Sequence, residues 1–495
     1  MRTAEQVKNS TIERLDYLFN PRSVAVIGAS NTFGKWGFNI FNHVLASAPE
    51  RRVYPVNVSA SEVIGFKASA HITDIHDEID LAVVTVPPEQ VIDALRECVA
   101  KGVKVAEVIT AGFEETGADG ERLQKQMLEI AGSGGMRLVG PNSMGHLSTQ
   151  FDFYTTPWIT GTPKGGIGLI SQSGNFGINI VRKGMETQLG FSKFISSGNE
   201  ADLTLEDYLE YLGQDDDTEV IIAYIEGLRR GRRFFELSRE ITKHKPIVVL
   251  KAGRTASGAR AVKSHTAALS GSDRIYEAAF RQAGVIRVNE VDEMLDVAGA
   301  LIRQPLPKGR RVGILTGGGG PGVIATDACE RLGLEIAAVS EGTLQKLDSI
   351  LPPRWPRTNP VDMVGETNLT YPCLLALMED DNVDAVISLA VGFADAIKTI
   401  VMGYMQTDVY TEVDQFIEQE GRRELEQLKR VIELMDTLHK PVFFFPPSGI
   451  EEFRTLQFLR ENGVLTYPST ERGVRALARL VEYSDYLGGL EGSEQ

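Results

Sequence analysis

Ser23-Val24-Ala25-Val26-Ile27-Gly28-Ala29-Ser30-Asn31-Thr32-Phe33-Gly34-Lys35-Trp36-Gly37 is an apolar, β-branched run that breaks abruptly into glycines and polar residues. Such a run, without strict alternation, suits a strand buried on both faces, and the glycines after it permit a tight turn into a helix. Outward from it the pattern recurs in RVYPVNV (52–58), LAVVTVPP (81–88), VKVAEVITAGF (103–113) and MRLVGPN (136–142). Helix-like stretches separate these runs, which predicts a doubly wound parallel sheet. A second series comprises GGIGLISQSGN (165–175), EVIIAYIEG (219–227), PIVVLKAG (246–253) and VIRVNEV (285–291). QPLPKGR (304–310) then reads as a Pro-punctuated linker. A third series contains RVGILTGGGGPG (311–322), LEIAAVS (334–340), VDAVISLAV (383–391), KPVFFFPP (440–447) and VLTYPS (464–469). The expected fold is α/β, with three tandem Rossmann-like or flavodoxin-like domains and mainly parallel sheets. The expected boundaries are 1–147, 148–304 and 308–488.

The 495 residues carry 51 Lys and Arg against 67 Asp and Glu, a net charge of −16 that argues against a general nucleic-acid binder. With 42% hydrophobic and 24% charged residues, the chain has the composition of a globular protein. Cys98, Cys329 and Cys373 are far apart with no CxxC pair, so neither a disulfide framework nor a cysteine zinc site is expected, and a cytoplasmic location fits. No 18-residue uncharged apolar run occurs, so no membrane segment is expected. The charged stretch 403–440, with Phe416, Leu425, Leu428, Ile432 and Met435 at helical spacing, is expected to be a solvated helix packed on its own domain.

The first glycine loop can admit a phosphate, because glycines let the backbone approach and the following helix start offers unpaired N–H groups. A tight turn would need glycine even without a ligand. A dinucleotide site also places an acid at the end of the second strand, and here Asn57 stands there. NAD therefore loses support, and with Lys35 available to a phosphate the loop is expected to take another adenine nucleotide.

Of the seven histidines, His265 differs from the rest because it lies in GRTASGARAVKSHTAALSG (253–271), read as a long movable loop. Ser264, His265 and Thr266 could merely cap a helix beginning near Ser272. Against that reading, Glu226 ends an apolar strand and could accept the Nδ1 proton of an imidazole, leaving Nε2 nucleophilic. ISQSGNFG (170–177) and TGGGGPG (316–322) each follow an apolar run and open a helix, giving two anion-binding N-termini. No residue spacing suits a metal site.

VAVIGAS, VYPVNV, VTVPPE, ITAGFEE, GPNSMG, LISQSGNFG, IEG, KAGRTASGARAVKSHTAALSG and TGGGGPGV together resemble the NDP-forming acyl-CoA synthetases. This superfamily includes succinyl-CoA synthetase, and the resemblance is to the α-subunit type of ADP-forming acetate–CoA ligase over nearly the whole chain. It implies that Gly28, Ser30, Lys35, Gly37, Asn57, Val86, Pro87, Thr110, Ala111 and Gly112 hold CoA. Pro141, Asn142 and Ser143 would lie where the thioester is made. His265 would be phosphorylated and Glu226 would orient it. Ser171, Gln172, Ser173 and Gly174 would receive its phosphate, with Gly318, Gly319 and Gly320 as a second position.

Several relatives have Cys where Ser143 stands, which phosphohistidine chemistry tolerates. The resemblance further implies an ATP-grasp β subunit that binds ADP/ATP and Mg²⁺, in an α2β2 assembly, because the three blocks leave no room for that module here. Phe153, Tyr154 and Trp158 are candidates to shape an acyl pocket, or equally an ordinary aromatic core patch. The rival from another class is a CoA-binding sensor or assembly protein without turnover.

Overall fold

The computed structural model describes residues 4–47, 50–265, 272–404, 410–446 and 454–493. They form two compact units, 1–291 and 292–495. The first unit begins with β1 (Ser23–Ile27) and β2 (Arg52–Val56), then a small antiparallel hairpin of β3 (Glu62–Val63) and β4 (Phe66–Lys67). Next come β5 (Leu81–Val84), β6 (Val105–Val108) and β7 (Arg137–Val139). Their sheet has the order β2-β1-β5-β6-β7 and every pairing in it is parallel. All residues of β1, β5 and β6 are buried, as the unalternating apolar runs require.

A second sheet in the same unit is built from β8 (His146–Ser148), β9 (Phe153–Tyr154), β10 (Lys164–Ser171), β11 (Phe191–Ser196), β12 (Val220–Ile225), β13 (Ile247–Lys251) and β14 (Ile286–Val288). Its order is β14-β13-β12-β10-β11-β8-β9, parallel except for the antiparallel edge of β8 and β9. Counted from β10, the five parallel strands run 2-1-3-4-5, the flavodoxin-like order. One continuous core, from Leu18, Phe19 and Val24 to Tyr208, Ile221 and Val249, joins the two sheets. Burial of each Val, Leu, Ile or Phe side chain in it contributes about 1.5–3 kcal/mol. Arg137 at the end of the first sheet also forks onto Asp202 beyond the second, at 2.8 and 3.0 Å.

The second unit contains β15 (Arg311–Thr316), β16 (Glu335–Ile336), β17 (Val361–Asp362), β18 (Ala385–Ser388) and β19 (Val442–Phe444). The order β16-β15-β18-β19, with β17 on the end of β15 and Thr466 bridging Phe444, repeats the same winding. The α/β class with mainly parallel sheets is thus borne out. The contact boundary differs from the expected linker. Helix Val291–Arg303 packs with the second unit through Asp296 to Arg472 at 2.7 Å and Glu293 to Arg479 at 3.2 Å. Gln304 is buried and exchanges two hydrogen bonds with Val442 in the manner of a strand residue. The prolines of 304–310 mark a bend within a packed segment.

Helix Tyr410–Leu438 lies where amphipathic spacing predicted it, but its stripe is Ile417, Leu428, Val431 and Met435, while Phe416 is 50% exposed. One residue is about 100° of helix, so the neighbouring isoleucine takes the inward place. All three cysteines are free and buried, and burial pushes the Cys329 and Cys373 thiols up to about 12. Among the described residues no helix is long and apolar enough to cross a membrane, and no cluster of His, Cys, Asp or Glu could hold a metal ion.

Candidate active site

In a doubly wound sheet, ligands bind beyond the carboxyl ends of the strands, where the winding reverses. In the first sheet that seam lies between β1 and β5, followed respectively by Gly28–Ser30 and Thr85–Pro87. Gly28 has φ +94, a conformation that L side chains rarely adopt, and its amide donates to Val56 at 3.0 Å. Gly37 is demanded by packing, since a Cβ there would lie 1.9 Å from the Gly28 carbonyl oxygen. Between them Asn31, Thr32, Phe33 and Lys35 are exposed, so Lys35 stands at the mouth of the loop at the start of helix Trp36–Ser47. The Ser30 hydroxyl accepts the Thr32 amide at 3.1 Å.

Asn57 differs from its expected ligand role. Its Nδ2 donates to Ala29 at 2.8 Å and its Oδ1 accepts the Ser59 and Ala60 amides, each at 2.8 Å, so the side chain latches two loops together. Thr110 donates to the Val86 carbonyl at 2.7 Å, tying the β5 and β6 exits, while Pro87 and Ala111 are exposed beside them. Gly112, with φ +110, gives its amide to Glu115 at 2.6 Å. Asn142 is exposed at φ 61. Ser143, expected at the thioester, is instead 1% exposed and donates its hydroxyl to the Ser196 carbonyl at 2.8 Å. It acts as a strut under the Pro141–Asn142 turn.

At the seam of the second sheet, β10 runs out through Ser171 into Gln172-Ser173-Gly174, and β12 is followed by Glu226. The structure brings these expected residues together. Gln172 Oε1 accepts the Glu226 amide at 2.6 Å and the Gly227 amide at 3.1 Å. Gln172 Nε2 donates to Gly227 at 2.8 Å and to Glu200 Oε1 at 3.0 Å. All four bonds of its carboxamide are thereby in use, and its backbone amide goes to Tyr224. Ser171 is buried, with its hydroxyl on the Ser173 carbonyl at 2.7 Å.

Ser171 and Gln172 therefore build the turn, and the first amides of helix Gly174–Glu186, for which Ser173 makes no side-chain cap, are the donors an anion could use. Gly174 is held down by packing, as a Cβ would lie 2.0 Å from Met144. Tyr224 donates to Glu226 at 3.4 Å, and burial, then the nearby carboxylate, push the phenol up.

The segment read as a loop after β13 contains helix Ala256–His265, whose last residue is the candidate nucleophile. Arg260 donates to Ser257 on the exposed face of this helix, and Thr255 accepts the Gly258 amide at its start. Small residues separated by Ala and Arg have adequate helix propensity, and that outweighs the count of loop-forming side chains. The His265 side chain and residues 266–271 lie outside the described residues, so the expected pairing of His265 with Glu226 does too. The helix start near Ser272 is present as Asp273–Gln282.

In the second unit Gly318, Gly319 and Gly320 follow β15 at its own seam with β18. A Cβ at Gly318 or Gly320 would meet nothing within 4 Å, and Gly318 is extended at φ −168. Packing does not call for glycine here, and the bare backbone faces open space at the start of helix Gly319–Arg331. Of the candidate acyl-pocket aromatics, Phe153 and Tyr154 are buried in the core, whereas Trp158 is half-exposed and edge-on to Trp36, with centroids 6.2 Å apart.

Several residues escaped the sequence reading. Glu200 is 3% exposed at φ 55, bonded to Gln172 and to Ser197 at 2.8 Å, and burial raises its pKa to about 7. Lys251 at the end of β13 is buried, donates to the Glu226 carbonyl at 2.9 Å and lies over the Tyr276 ring; burial lowers its pKa. His146 and Glu107 form a fully buried pair at 3.1 Å beneath Ser143, with His146 Nε2 also 2.9 Å from the Leu18 carbonyl. The glutamate inside VKVAEVIT was the available signal for this pair. Glu200 offers none, because its partner Gln172 lies 28 residues away in the chain.

Residues 22–149 match the CoA binding domain family, 164–301 the succinyl-CoA ligase like flavodoxin domain and 312–483 the ligase-CoA domain. The chain is 42% identical over 477 residues to the α subunit of ADP-forming acetate–CoA ligase II of Pyrococcus furiosus, covering 96% of this chain and 99% of that one. It is 36% identical to the ADP-forming acetate–CoA ligase of Methanocaldococcus jannaschii, spanning 95% of this chain and 63% of the relative. The dinucleotide forming acetyl-coenzyme A synthetase 1 of Ca. Korarchaeum cryptofilum, solved in complex with phosphate and ADP, aligns with a TM-score of 0.84 at 33% identity. That alignment covers 97% of this chain and 99% of the other.

Proposed function

Because the chain belongs to the family of ADP-forming acetate–CoA ligase α subunits, we propose that it is the α subunit of an ADP-forming acyl-CoA synthetase. It reversibly converts acyl-CoA, ADP and phosphate to a carboxylate, CoA and ATP. The observation that carries this reading is the seam between β10 and β12. There the open amides of helix Gly174–Glu186 and the carboxylate of Glu226 sit at adjacent strand ends, and the next strand leads into the helix ending at His265.

A phosphate oxygen attacks the thioester carbonyl, and the C–S bond breaks to release CoA and leave an acyl phosphate. Nε2 of His265 attacks phosphorus, the carboxylate leaves with the bridging electron pair, and ADP later takes the phosphoryl group from the imidazole. An imidazole is neutral and nucleophilic above its usual pKa of about 6.5. Glu226 accepts the Nδ1 proton and favours the charged ring that forms. The amides at Ser173 and Gly174 stabilise the spreading phosphoryl charge, and Gly318–Gly320 offer a second set.

CoA lies at the β1/β5 seam, over Gly28 to Lys35, Val86, Pro87 and Thr110 to Gly112, with its thioester end near Asn142. The exposed loop, its cation and its left-handed glycines fit a phosphate-bearing ligand. ADP/ATP and Mg²⁺ belong to an ATP-grasp β subunit in an α2β2 assembly. The greater length of relatives such as the Methanocaldococcus jannaschii ligase, which the chain spans to 63%, supports such a further module. The division into domains at 1–147, 148–304 and 308–488 is supported by the three sheets and three family matches.

The test is incubation with acetyl-CoA and radiolabelled phosphate, with and without a candidate ATP-grasp subunit. Acid-labile, base-stable label on the wild type and none on His265→Ala is the expected result. CoA binding with no label from any acyl-CoA would leave a CoA sensor in place of an enzyme.

A further inference from the structure

The turn after β11, Ser197-Gly198-Asn199-Glu200-Ala201, touches three places that the proposed reaction must hold in register. Its backbone is welded to the Gly140–Asn142 turn: the Asn199 amide donates to Pro141 at 2.8 Å and the Ala201 amide to Gly140 at 3.0 Å. Gly198 at φ +61 allows this approach, since a Cβ would lie 2.3 Å from the Pro141 oxygen. The Asn199 side chain reaches the CoA-side loop. Its Nδ2 donates to Glu115 and, at 3.1 Å, to Gln124, and its Oδ1 accepts from Asn142 at 3.3 Å. Glu115 in turn holds the Gly112 and Phe113 amides at 2.6 and 3.2 Å. The next residue, Glu200, faces the other way, onto Gln172 Nε2, and Gln172 holds the Glu226 and Gly227 amides. Arg229, two residues beyond Gly227, closes the circuit by donating to the Asn199 carbonyl at 2.8 Å and to Glu114 at 3.1 Å.

We propose that Asn199 and Glu200 are positioning residues that lock the thioester end of bound CoA in register with the phosphate-binding helix start, coupling occupancy of one site to the other. The inference rests on the acyl-CoA synthetase reading above. Attack of phosphate on a thioester joins ligands held by two different sheets, and a misplacement of about 1 Å costs a reaction about a hundredfold. Two adjacent residues with opposed side chains form the shortest covalent rod between the two loops. Glu200 faces Gln172 and Ser197 by hydrogen bonds, with Glu206, Tyr208 and Arg229 as the other titratable groups around it. Gln172 can present its oxygen to the two amides only while its nitrogen finds two acceptors, and Glu200 is one of them.

The test is calorimetric titration of the full chain with CoA, with and without saturating inorganic phosphate, on wild type, Asn199→Ala, Glu200→Ala and Glu200→Gln. Phosphate should change the wild-type CoA affinity by at least about fivefold, the lower end of measured couplings. That factor should fall below about 1.5 in Asn199→Ala and Glu200→Ala and survive in Glu200→Gln, which keeps the acceptor oxygen. Asn199→Asp, which keeps the shape but sets a like charge against Glu115, serves if the alanine variant does not fold. Absence of coupling in the wild type, or its persistence in both alanine variants, overturns the inference. Labelling of wild-type His265 run alongside judges the enzymatic reading separately, since CoA and phosphate can be coupled in a chain that never takes label.

Discussion

Replacing Glu200 by glutamine should remove the pH dependence that this residue imposes on the stability of the first unit. The carboxyl is 3% exposed and titrates at about 7 against an ordinary 4.5, with burial the main cause and Glu206 adding to it. Folded protein therefore binds a proton more tightly than unfolded chain between these values, so stability is full below about pH 4.5 and is lost as pH rises toward 7. The interval from 4.5 to about 7, at about 1.36 kcal/mol per pH unit, amounts to a loss of about 3 kcal/mol.

Glutamine stays neutral and keeps an oxygen for Gln172 and Ser197. Relative to wild type, the variant should be of similar stability at pH 4.5 and about 3 kcal/mol more stable above pH 7.5. Urea titration read by tryptophan fluorescence measures this in a Trp355→Phe background, because Trp36 and Trp158 then report the first unit alone. A wild-type-to-variant difference that stays constant between pH 4.5 and 8, or a variant less stable than wild type at pH 8, would refute the reasoning.

Gly37→Ala sets a methyl against the Gly28 carbonyl, so it should cost at least about 2 kcal/mol and weaken CoA binding, read by thermal melting and calorimetry. Gly318→Ala meets open space in an extended backbone and should leave the melting temperature within about 1 °C. A fall in phosphoryl transfer to the partner subunit in that variant would then mark loss of backbone access. Ile417→Ala should destabilise the second unit by about 2–4 kcal/mol, whereas Phe416→Ser should change it by less than about 0.5, which tests the helix phase by denaturation.

The strands were legible because β1, β5, β6, β12 and β13 are mostly apolar runs that are themselves almost wholly buried, a condition written locally in residue type. Gly28 and Glu226 were legible for the same reason, each breaking such a run at its end. Helix Ala256–His265 was misread because serine, threonine and glycine suggest a loop on composition, while the structure puts Thr255 and Ser257 at the helix start, where such residues serve as caps. Ser143 and Asn57 sit where ligand-binding residues were expected, yet their polar atoms are consumed by Ser196, Ala29, Ser59 and Ala60. That partnership spans up to 53 residues for Ser143 and has no trace in local pattern. Asn199 and Glu200 were unreadable for the same cause, since their partners come from three separate segments.

The winding that recurs in all three sheets puts a helix start beyond the first strand of each. At β10 and β15 the chain turns through glycine into a helix with no side-chain cap, whereas at β1 the exposed loop from Gly28 to Lys35 comes before the helix. On the proposed mechanism, a phosphoryl group passing between the β10 and β15 turns would exchange backbone amides for backbone amides. Donors of the same kind at both ends would leave neither position a trap, which suits a reaction whose direction is set by the surrounding concentrations.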